Sequence, residues 1–370
     1  MKKYAILLSL LLTVSLLAGC AGTPVVYYTN CTCPTGSHDV TVQTPTEPAP
    51  TEPAPAPTEP APAEGALKTG LYIATGISDS KSAAGEEAGE GKYDVTMVAV
   101  LVDDDGIIRD CIIDGIAASV KLDASGAIVT DLTAAPPTKN ELGEGYGMVA
   151  WGGAIAEWDA QAAALADFVV GKHFGELRGV AVSESGYAPE GTDLAASATI
   201  YLGGYVEAIE IAAGTAKHLG AQSGDTLKLA TVTGIDSSAA ASAEKDGTAQ
   251  LDATVTALTM NGDTITSCYI DSVQAKVSFD TTGTITSDIG GAVSTKNQLG
   301  EQYGMVAWGG AIAEWDAQAA SFASYVTGKT VDEVMGIAVN ESTKPTDADL
   351  AASVTISIGD FQALIAKAAG

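Results

Sequence analysis

An eighteen-residue segment occurs twice in this chain without a single change. It reads YGMVAWGGAIAEWDAQAA, first at Tyr146–Ala163 and again at Tyr303–Ala320. The flanking residues also match, since TKNELGEG and TKNQLGEQ precede the two copies and GVAVSES and GIAVNES follow them. Self-similarity at a fixed spacing indicates that one structural unit is repeated. The sequence therefore predicts two copies of one fold.

The match extends upstream over most of the chain. GIIRDCIIDGIAASVKLDASGAIVTDL in the first copy corresponds to DTITSCYIDSVQAKVSFDTTGTITSDI in the second. A short segment with Gly and Ser, HLGAQSGD, separates the copies. We expect two homologous tandem domains, at residues 66–218 and 222–370.

Each copy has the pattern of an α+β domain. From Tyr93 to Leu132, apolar and β-branched residues alternate with polar ones and are interrupted by DDDG and ASG turns, which is typical of an antiparallel meander. A helical spacing follows, and a second amphipathic helix ends the copy. We expect each domain to be an antiparallel sheet packed with helices. The apolar face of the first helix is predicted to contain Ile155, Trp158, Ala162, Leu165 and Val169.

The N-terminus resembles a bacterial lipoprotein signal. A lysine pair precedes an apolar run that is short for a bilayer span, and Leu17-Ala18-Gly19-Cys20 follows. The resemblance implies cleavage after residues 1–19 and a diacylglycerol on the Cys20 thiol, which would hold the mature protein on the extracellular face of the cytoplasmic membrane. The alternative is an ordinary secretory signal in which the cysteine occurs by chance.

Residues 20–65 are predicted to form a lipid-anchored, disordered, proline-rich stalk. From Thr44 the chain reads TPTEPAPTEPAPAPTEPAPAE, a composition that favours extended polyproline II at about 3 Å per residue. Cys31 and Cys33 lie in this stalk and are too few for a metal site of their own. They are either free or oxidised with each other.

Composition excludes several classes of function. The formal charge of −28 disfavours nucleic acid as a partner, because the phosphate backbone would be repelled. The three histidines have no counterpart in the other copy, and no HExxH, CxxC, Ser-His, GxGxxG or P-loop pattern is present. Cys111 and Cys268 occupy equivalent positions and are predicted to be small buried residues. We therefore expect no catalytic residues and no metal ligands, and any chemistry to come from an added cofactor.

A second repeated motif lies near the end of each copy. It reads DLAASATI from Asp193 and DLAASVTI from Asp349, with Thr199 and Thr355 in the same place. One interpretation is an ordinary helix cap, which stabilises a helix by about 1 kcal/mol. The other is a phosphate ester on the threonine, favoured by the free N–H groups and dipole of a helix N-terminus. The motif by itself leaves both open.

The motif resembles D-x-x-S-G-A-T, the signal by which ApbE-type flavin transferases attach FMN, taken from FAD, to a threonine through a phosphodiester. The aspartate and threonine are in place, whereas Ala-Ser replaces Ser-Gly in both copies and Val354 replaces the alanine in the second. The resemblance implies two covalent FMN groups. The implied motif residues are Asp193, Ser197 and Thr199 in the first copy and Asp349, Ser353 and Thr355 in the second.

The wider pattern resembles one family. A lipoprotein signal, a proline-rich stalk and two domains containing TKN, YGM, EWDAQ and DLAAS are similar to the PplA-type flavinylated surface lipoproteins of Gram-positive extracellular electron transfer. That resemblance implies an electron carrier, rather than a substrate-specific enzyme, matured by an ApbE-type flavin transferase. Its implied donor is a membrane NADH dehydrogenase with its quinol pool, and its implied acceptors are extracellular, such as ferric iron.

Other residues in the repeated segment are candidates for flavin contact. Met148 and Trp151, with Met305 and Trp308, precede the first long helix, where a thioether or aromatic ring could cover the flavin or belong to the core. Lys139 and Lys296 either offer a cation to the phosphate or lie on a solvated turn, and the turn is the favoured interpretation. Trp158 and Trp315 are predicted to be core.

One alternative function belongs to another class. The chain could be a non-redox surface lipoprotein that binds a ligand or cell-wall component through its tandem domains. The two threonines would then be ordinary helix caps.

Overall fold

The computed structural model describes residues 65–370, which form one compact unit. The predicted signal peptide, Cys20, Cys31, Cys33 and all of the stalk except Gly65 lie outside the described residues. Among the residues described, no helix is long and apolar enough to cross a membrane.

Each repeat begins with a three-stranded antiparallel meander, as its alternation predicts. The middle strand pairs with both of its neighbours. The tight turn between the second and third strands of the first meander is closed by the Asp103 carboxylate, which accepts hydrogen bonds from the backbone N–H groups of Asp105 and Ile107. The strands are β1 (Lys68–Gly76), β2 (Gly89–Val102) and β3 (Ile108–Leu122), then β4 (Thr226–Gly234), β5 (Gly247–Asn261) and β6 (Thr264–Phe279).

Helices follow each sheet in the same order. The first repeat has α1 (Lys139–Leu142), α2 (Met148–Gly152), α3 (Trp158–Val169), α4 (Leu177–Ala181), α5 (Asp193–Ser197) and α6 (Gly203–Gly214). The second has α7 (Lys296–Leu299), α8 (Met305–Gly309), α9 (Trp315–Val326), α10 (Val331–Met335), α11 (Ala348–Ala351) and α12 (Gly359–Ala369). Short 3₁₀ turns occupy Gly143–Tyr146, Phe174–Glu176 and Gly300–Tyr303. The α+β class, with two antiparallel sheets packed with helices, is confirmed.

The middle strands β2 and β5 are buried on both faces. Side chains alternate across a strand, so successive residues of β2 enter two different cores. Val98, Val100 and Val102 pack against the helices of their own repeat, whereas the intervening residues pack against the other sheet. The shared core between the sheets is built from both repeats and includes Tyr93, Val95, Met97, Ala99, Leu251, Val255, Val277 and Phe279.

The sheets therefore form the two inner layers, and each is covered by helices on its outer face. The outer cores are separate, one for each repeat. The sequence predicted two domains, each with its own sheet, but did not predict that the sheets share a core. At the point of contact a Cβ on Gly91 would lie 2.7 Å from the Ala249 Cβ, so a glycine is needed there for close approach.

The helix predicted after the sheet is shorter than expected. Its buried face contains Trp158, Ala162, Leu165 and Val169, as predicted. Ile155 was wrongly included, since the helix begins at Trp158 and 57% of Ile155 is exposed. The two glycines before Ile155 end the preceding one-turn helix, and Gly153 has a positive φ of 62°. The helical spacing therefore does not extend upstream of Trp158.

The two cysteines of the described residues are buried and free, as predicted. Burial raises the pKa of the Cys268 thiol to about 12 and raises that of Cys111 as well. Both thiols therefore stay protonated at neutral pH and act as small apolar groups.

The shared core predicts that the two repeats unfold together. Phe279 is fully buried in that core, and its replacement by Ala should lower the free energy of unfolding by about 3–5 kcal/mol. Urea denaturation followed by circular dichroism should show one transition for wild type and for Phe279→Ala. Val129→Ala, at a position 60% exposed, is the control and should change little. Two well-separated transitions in wild type would contradict a shared core.

Candidate functional site

Thr199 and Thr355 are held in the same way by a buried glutamine. The Oε1 atom of Gln161 accepts hydrogen bonds from the Thr199 backbone N–H at 2.8 Å and from its hydroxyl at 3.2 Å. Gln318 accepts from Thr355 at the same two distances. Thr199 is exposed and Thr355 is half-buried, whereas both glutamines are fully buried. The threonine of each repeat is thus held by two hydrogen bonds to a buried side chain.

The helix-cap interpretation of these threonines is wrong. Thr199 follows the end of α5 and precedes α6 by several residues, and α6 begins without a side-chain cap. The residue that caps α5 is Thr192, whose hydroxyl accepts from the Ala195 N–H at 3.2 Å. In the second repeat Asp347 caps α11. The hydroxyl of Thr199 does not accept from a helix N–H but donates to an amide oxygen.

The orientation of the glutamine is fixed from the other side. Nε2 of Gln161 donates to the Ala156 carbonyl at 2.8 Å, and Nε2 of Gln318 donates to the Ala313 carbonyl at the same distance. The amide oxygen must therefore face the threonine. Sequence reasoning missed both glutamines, although each lies within the identical segment. A polar residue between apolar positions of α3 was the available signal.

The other motif residues are accessible. Asp193 and Asp349 are exposed in the first turns of α5 and α11. Ser197 donates to the Asp193 carbonyl at 3.2 Å, and Ser353 donates to the Leu350 carbonyl at 3.3 Å. The two serines therefore satisfy their short helices, and the two carboxylates are open to an enzyme that reads the motif.

A cleft of about 520 Å³ lies beside Thr199. The chain enters it directly after the threonine, through Ile200 and Tyr201. Trp158 Nε1 donates to the Tyr205 hydroxyl at 3.1 Å, so these two rings are fixed edge to face. The cleft is lined by Ala74, Thr96, Lys139, Tyr146, Met148, Trp158, Ile200, Tyr201, Gly204 and Tyr205.

Met148 lines this cleft, but Trp151 does not. Met148 is half-buried and its backbone N–H donates to the Glu157 carboxylate at 2.7 Å, as Met305 donates to Glu314 at 2.8 Å. Trp151 is 90% exposed and Trp308 is 89% exposed. The interpretation of these two tryptophans as core residues is therefore wrong, and their contact with a flavin stays a prediction.

The cause is the short helix on which each tryptophan lies. The helices α2 and α8 have five residues each and begin after a glycine with positive φ. The Trp151 ring lies back over Gly147, where an added Cβ would come within 2.4 Å of the ring. A single turn of helix has too few apolar positions to form a buried face that would include the tryptophan ring.

Lys139 and Lys296 do not lie on a solvated turn as expected. The Lys139 ammonium lies 5.4 Å from the centre of the Tyr146 ring and 4.8 Å from that of Trp158. Lys296 lies 5.3 Å from Tyr303 and 4.8 Å from Trp315. These distances allow cation–π attraction. Burial lowers the pKa of both lysines, and neighbouring aspartates oppose that effect.

A buried aspartate supports the helix that carries each lysine. The Asp114 Oδ1 atom accepts from the backbone N–H groups of Asn140 and Gly115, and Asp271 accepts from Asn297 and Ser272. Burial raises the pKa of both carboxyls, and that of Asp271 reaches about 6. The helices α1 and α7 are thereby tied to β3 and β6.

The second repeat has a cleft over the corresponding part of its sheet, although the counterparts of the methionine, the aromatic walls and the residues after the threonine do not line it. It measures about 660 Å³ and is lined by Val232, Thr254 and Lys296, the counterparts of Ala74, Thr96 and Lys139. The first-repeat segment Leu132–Ala135 also borders it. A third cavity, of about 560 Å³, lies between Lys217–Leu219 and α9 and touches neither threonine.

Comparison of this chain with protein-family models, with curated proteins and with solved structures gives no match. Within residues 65–370, no group of three or more His, Cys, Asp or Glu side chains is arranged to hold a metal ion. The chemistry of the site therefore has to be inferred from its own geometry.

The buried aspartate predicts a specific pH dependence of stability. The pKa of Asp271 is about 6 in the folded state and about 3.9 in the unfolded state, so the folded state binds this proton more tightly. Complete ionisation of the carboxyl therefore lowers the free energy of unfolding by about 3 kcal/mol. That cost is small at pH 4 and complete at pH 7. Urea denaturation should show the stability of Asp271→Asn, relative to wild type, rising by about 2 kcal/mol between pH 4 and pH 7. The exposed control Asp263→Asn should show no such trend.

The glutamine predicts a second effect on stability. Gln161→Leu removes the partner of the Thr199 N–H and hydroxyl and of the Ala156 carbonyl, so the free energy of unfolding should fall by about 1–3 kcal/mol. Gln302→Leu, at an exposed position, is the matched control. Equal stability of Gln161→Leu and wild type in urea would show that these hydrogen bonds do not fix the threonine.

Proposed function

We propose that this protein is a lipid-anchored extracellular electron carrier with FMN covalently bound to Thr199 and to Thr355. The observation that supports this most directly is the repeated geometry of the threonine. In both repeats its hydroxyl donates to a buried glutamine, and each repeat has a lysine placed over two aromatic rings; in the first repeat the residues directly after Thr199 line a cleft together with that lysine.

Accessibility supports modification by an ApbE-type flavin transferase. The enzyme must reach the hydroxyl and the preceding motif in a folded or folding chain. Asp193 and Asp349 are exposed. The Thr199 hydroxyl donates a hydrogen bond to the neutral Gln161 amide, and the esterified oxygen would no longer make this bond. The backbone N–H of the threonine keeps its bond to Gln161, so the attachment point would stay in place after modification.

The cleft beside Thr199 fits a flavin. Its volume of about 520 Å³ falls in the usual range for small-molecule sites, roughly 300–1,000 Å³. Tyr146, Trp158 and Tyr205 supply aromatic walls, and Met148 supplies a polarizable one. FMN would supply reversible transfer of electrons, while the protein sets its position and electrostatics.

The chain's own residues would do three things in this role. The threonine prevents loss of the group into the medium, the aromatic walls orient it and exclude water from one face, and Lys139 or Lys296 places a positive charge against it. The half-buried lysine lies in a region of reduced dielectric constant, which strengthens its attraction for a phosphate or a reduced ring. No side chain has to act as acid or base on a substrate.

The proposed place in the electron pathway follows from the same resemblance. A membrane NADH dehydrogenase with its quinol pool would be the donor, and extracellular acceptors such as ferric iron would be the final oxidants. A net charge of −28 repels nucleic acid and attracts cationic acceptors. The lipid on Cys20 and the stalk would keep both repeats near the outer face of the cytoplasmic membrane.

A second candidate function is supported by one observation. Trp151 and Trp308 are almost fully exposed, and Val149 and Ile155 beside Trp151 are exposed as well. Repeated apolar surface of this kind suits binding of a ligand or wall component by a non-redox lipoprotein. The two functions differ in colour, because a flavinylated protein stays yellow after denaturation and a binding module is colourless.

Intact-mass measurement tests the main proposal. The full-length chain, produced with a flavin transferase and FAD, should carry two FMN additions. Thr199→Ala and Thr355→Ala should each carry one, and the double variant should carry none. Thr215→Ala, which alters an exposed threonine at the end of α6, should keep both. If wild type gains no mass while the transferase modifies another substrate in the same cells, the flavin proposal fails.

A further inference from the structure

The two clefts differ in charge at one position of their final helices. The helix α6 begins Gly203-Gly204-Tyr205, and α12 begins Gly359-Asp360-Phe361. Gly204 lines the first cleft together with Lys139, and Asp360 lines the second together with Lys296. A carboxylate therefore borders the second cleft where the first has no side chain.

The first cleft has no acidic residue in its lining, whereas Asp236 and Asp252 line the second together with Asp360; in the wider surroundings of the two clefts the other charged residues correspond. Each cleft has its lysine, a buried aspartate under the lysine's helix, an aspartate on the middle strand, an aspartate in the turn after the first strand, and one further lysine on the sheet. These are Lys139, Asp114, Asp94, Asp79 and Lys92 for the first cleft, and Lys296, Asp271, Asp252, Asp236 and Lys276 for the second.

One more acidic residue near the first cleft is neutralised. Glu141 of α1 forms an ion pair with Lys367 of α12, and Gln298 replaces it in the second repeat. Among the acidic residues that line the second cleft, Asp360 is the one whose counterpart in the first cleft, Gly204, has no side chain. Asp360 lines the same cleft as Lys296, and its negative charge opposes the lowering of the Lys296 pKa by burial.

We propose that Asp360 gives the flavin on Thr355 a lower midpoint potential than the flavin on Thr199. This inference rests on the proposed function. Reduction adds electrons to the flavin, and a nearby carboxylate makes that added charge less favourable, especially in a partly dehydrated site. The equilibrium then favours one direction: reduced FMN on Thr355 gives up two electrons with their protons and is oxidised, and oxidised FMN on Thr199 takes them up and is reduced.

Contacts between the repeats join the elements that carry the two determinants. The Glu141–Lys367 ion pair links α1, which carries Lys139, to α12, which carries Asp360. The Thr233 hydroxyl donates to the Pro136 carbonyl at 2.6 Å, just after the segment that borders the second cleft. The elements that carry Lys139 and Asp360 are therefore in direct contact.

Redox titration of single-flavin proteins tests the ranking. The full-length chain in detergent, flavinylated by a transferase, would be titrated as Thr355→Ala and as Thr199→Ala at low ionic strength. We expect the potential of the Thr355 flavin to be the lower one. Asp360→Asn should raise it, and Gly204→Asp should lower that of the Thr199 flavin. No atom lies within 4 Å of the place a Cβ on Gly204 would occupy, and its φ is not positive, so the aspartate fits without strain.

A measurement without flavin checks the electrostatics separately. Reductive methylation with ¹³C-formaldehyde makes lysine ammonium groups visible by NMR, and Lys296→Arg assigns the signal of Lys296. In the unflavinylated chain, Asp360→Asn should lower the apparent pKa of Lys296 and leave that of Lys139 unchanged. An unchanged Lys296 would mean that Asp360 does not act on this cleft.

The outcomes separate this inference from the proposed function. Equal potentials, the reverse ranking, or substitutions at 204 and 360 that leave both potentials unchanged would overturn the inference while FMN on both threonines still supports the function. Absence of FMN by intact mass overturns both. Three results together establish the assignment. The Thr355 flavin has the lower potential, Asp360→Asn raises that potential, and Gly204→Asp lowers the potential of the Thr199 flavin.

Discussion

The burial of β2 and β5 on both faces is the constraint on which the rest of the structure depends. Each of these strands contributes alternate residues to the core shared by the two sheets and to the core under its own helices. A strand buried in this way cannot move without disturbing both cores, because interiors are close-packed. The sheet is therefore a rigid base. The helices α3 and α9 pack against β3 and β6 on that base, and their orientation decides where a buried polar side chain points.

Gln161 and Gln318 transmit this rigidity to the surface. Each lies fully buried on its helix, donates to a carbonyl just before the same helix, and accepts from the threonine that follows α5 or α11. A buried amide must satisfy its hydrogen-bonding groups. The position of the side chain is therefore determined, and so is which of its two amide atoms, the oxygen or the nitrogen, faces the threonine. An exposed threonine hydroxyl normally samples several rotamers. Here two hydrogen bonds to the glutamine hold a threonine that is exposed in the first repeat and half-buried in the second.

The sequence allowed prediction of those features that depend on period and on turn chemistry. Alternation identified the meander, helical spacing identified Trp158 and Leu165 as core, and equivalence between repeats identified Cys111 and Cys268 as buried. Three features required the fold. The side of β2 that faces the other sheet is as apolar as the side that faces the helices. The sequence pattern therefore did not reveal that one side packs against the sheet of the other repeat. Trp151 lies on a single turn, where no period can be read. Lys139 is neighbour to Trp158 only after α1 folds back over β3.

Duplication explains why the two sites are alike, and the small differences explain how they can act differently. The identical segment fixes the glutamine, the lysine's aromatic partners and the glutamate that anchors α2 and α8. The start of the last helix in each repeat lies outside that segment. Residues 204 and 360 at this start are exposed and do not belong to either core. A charge can change there without disturbing either core. Under the proposed function, two equal carriers in one molecule would add only capacity, whereas a charge difference at such a position would give electron transfer between them a direction.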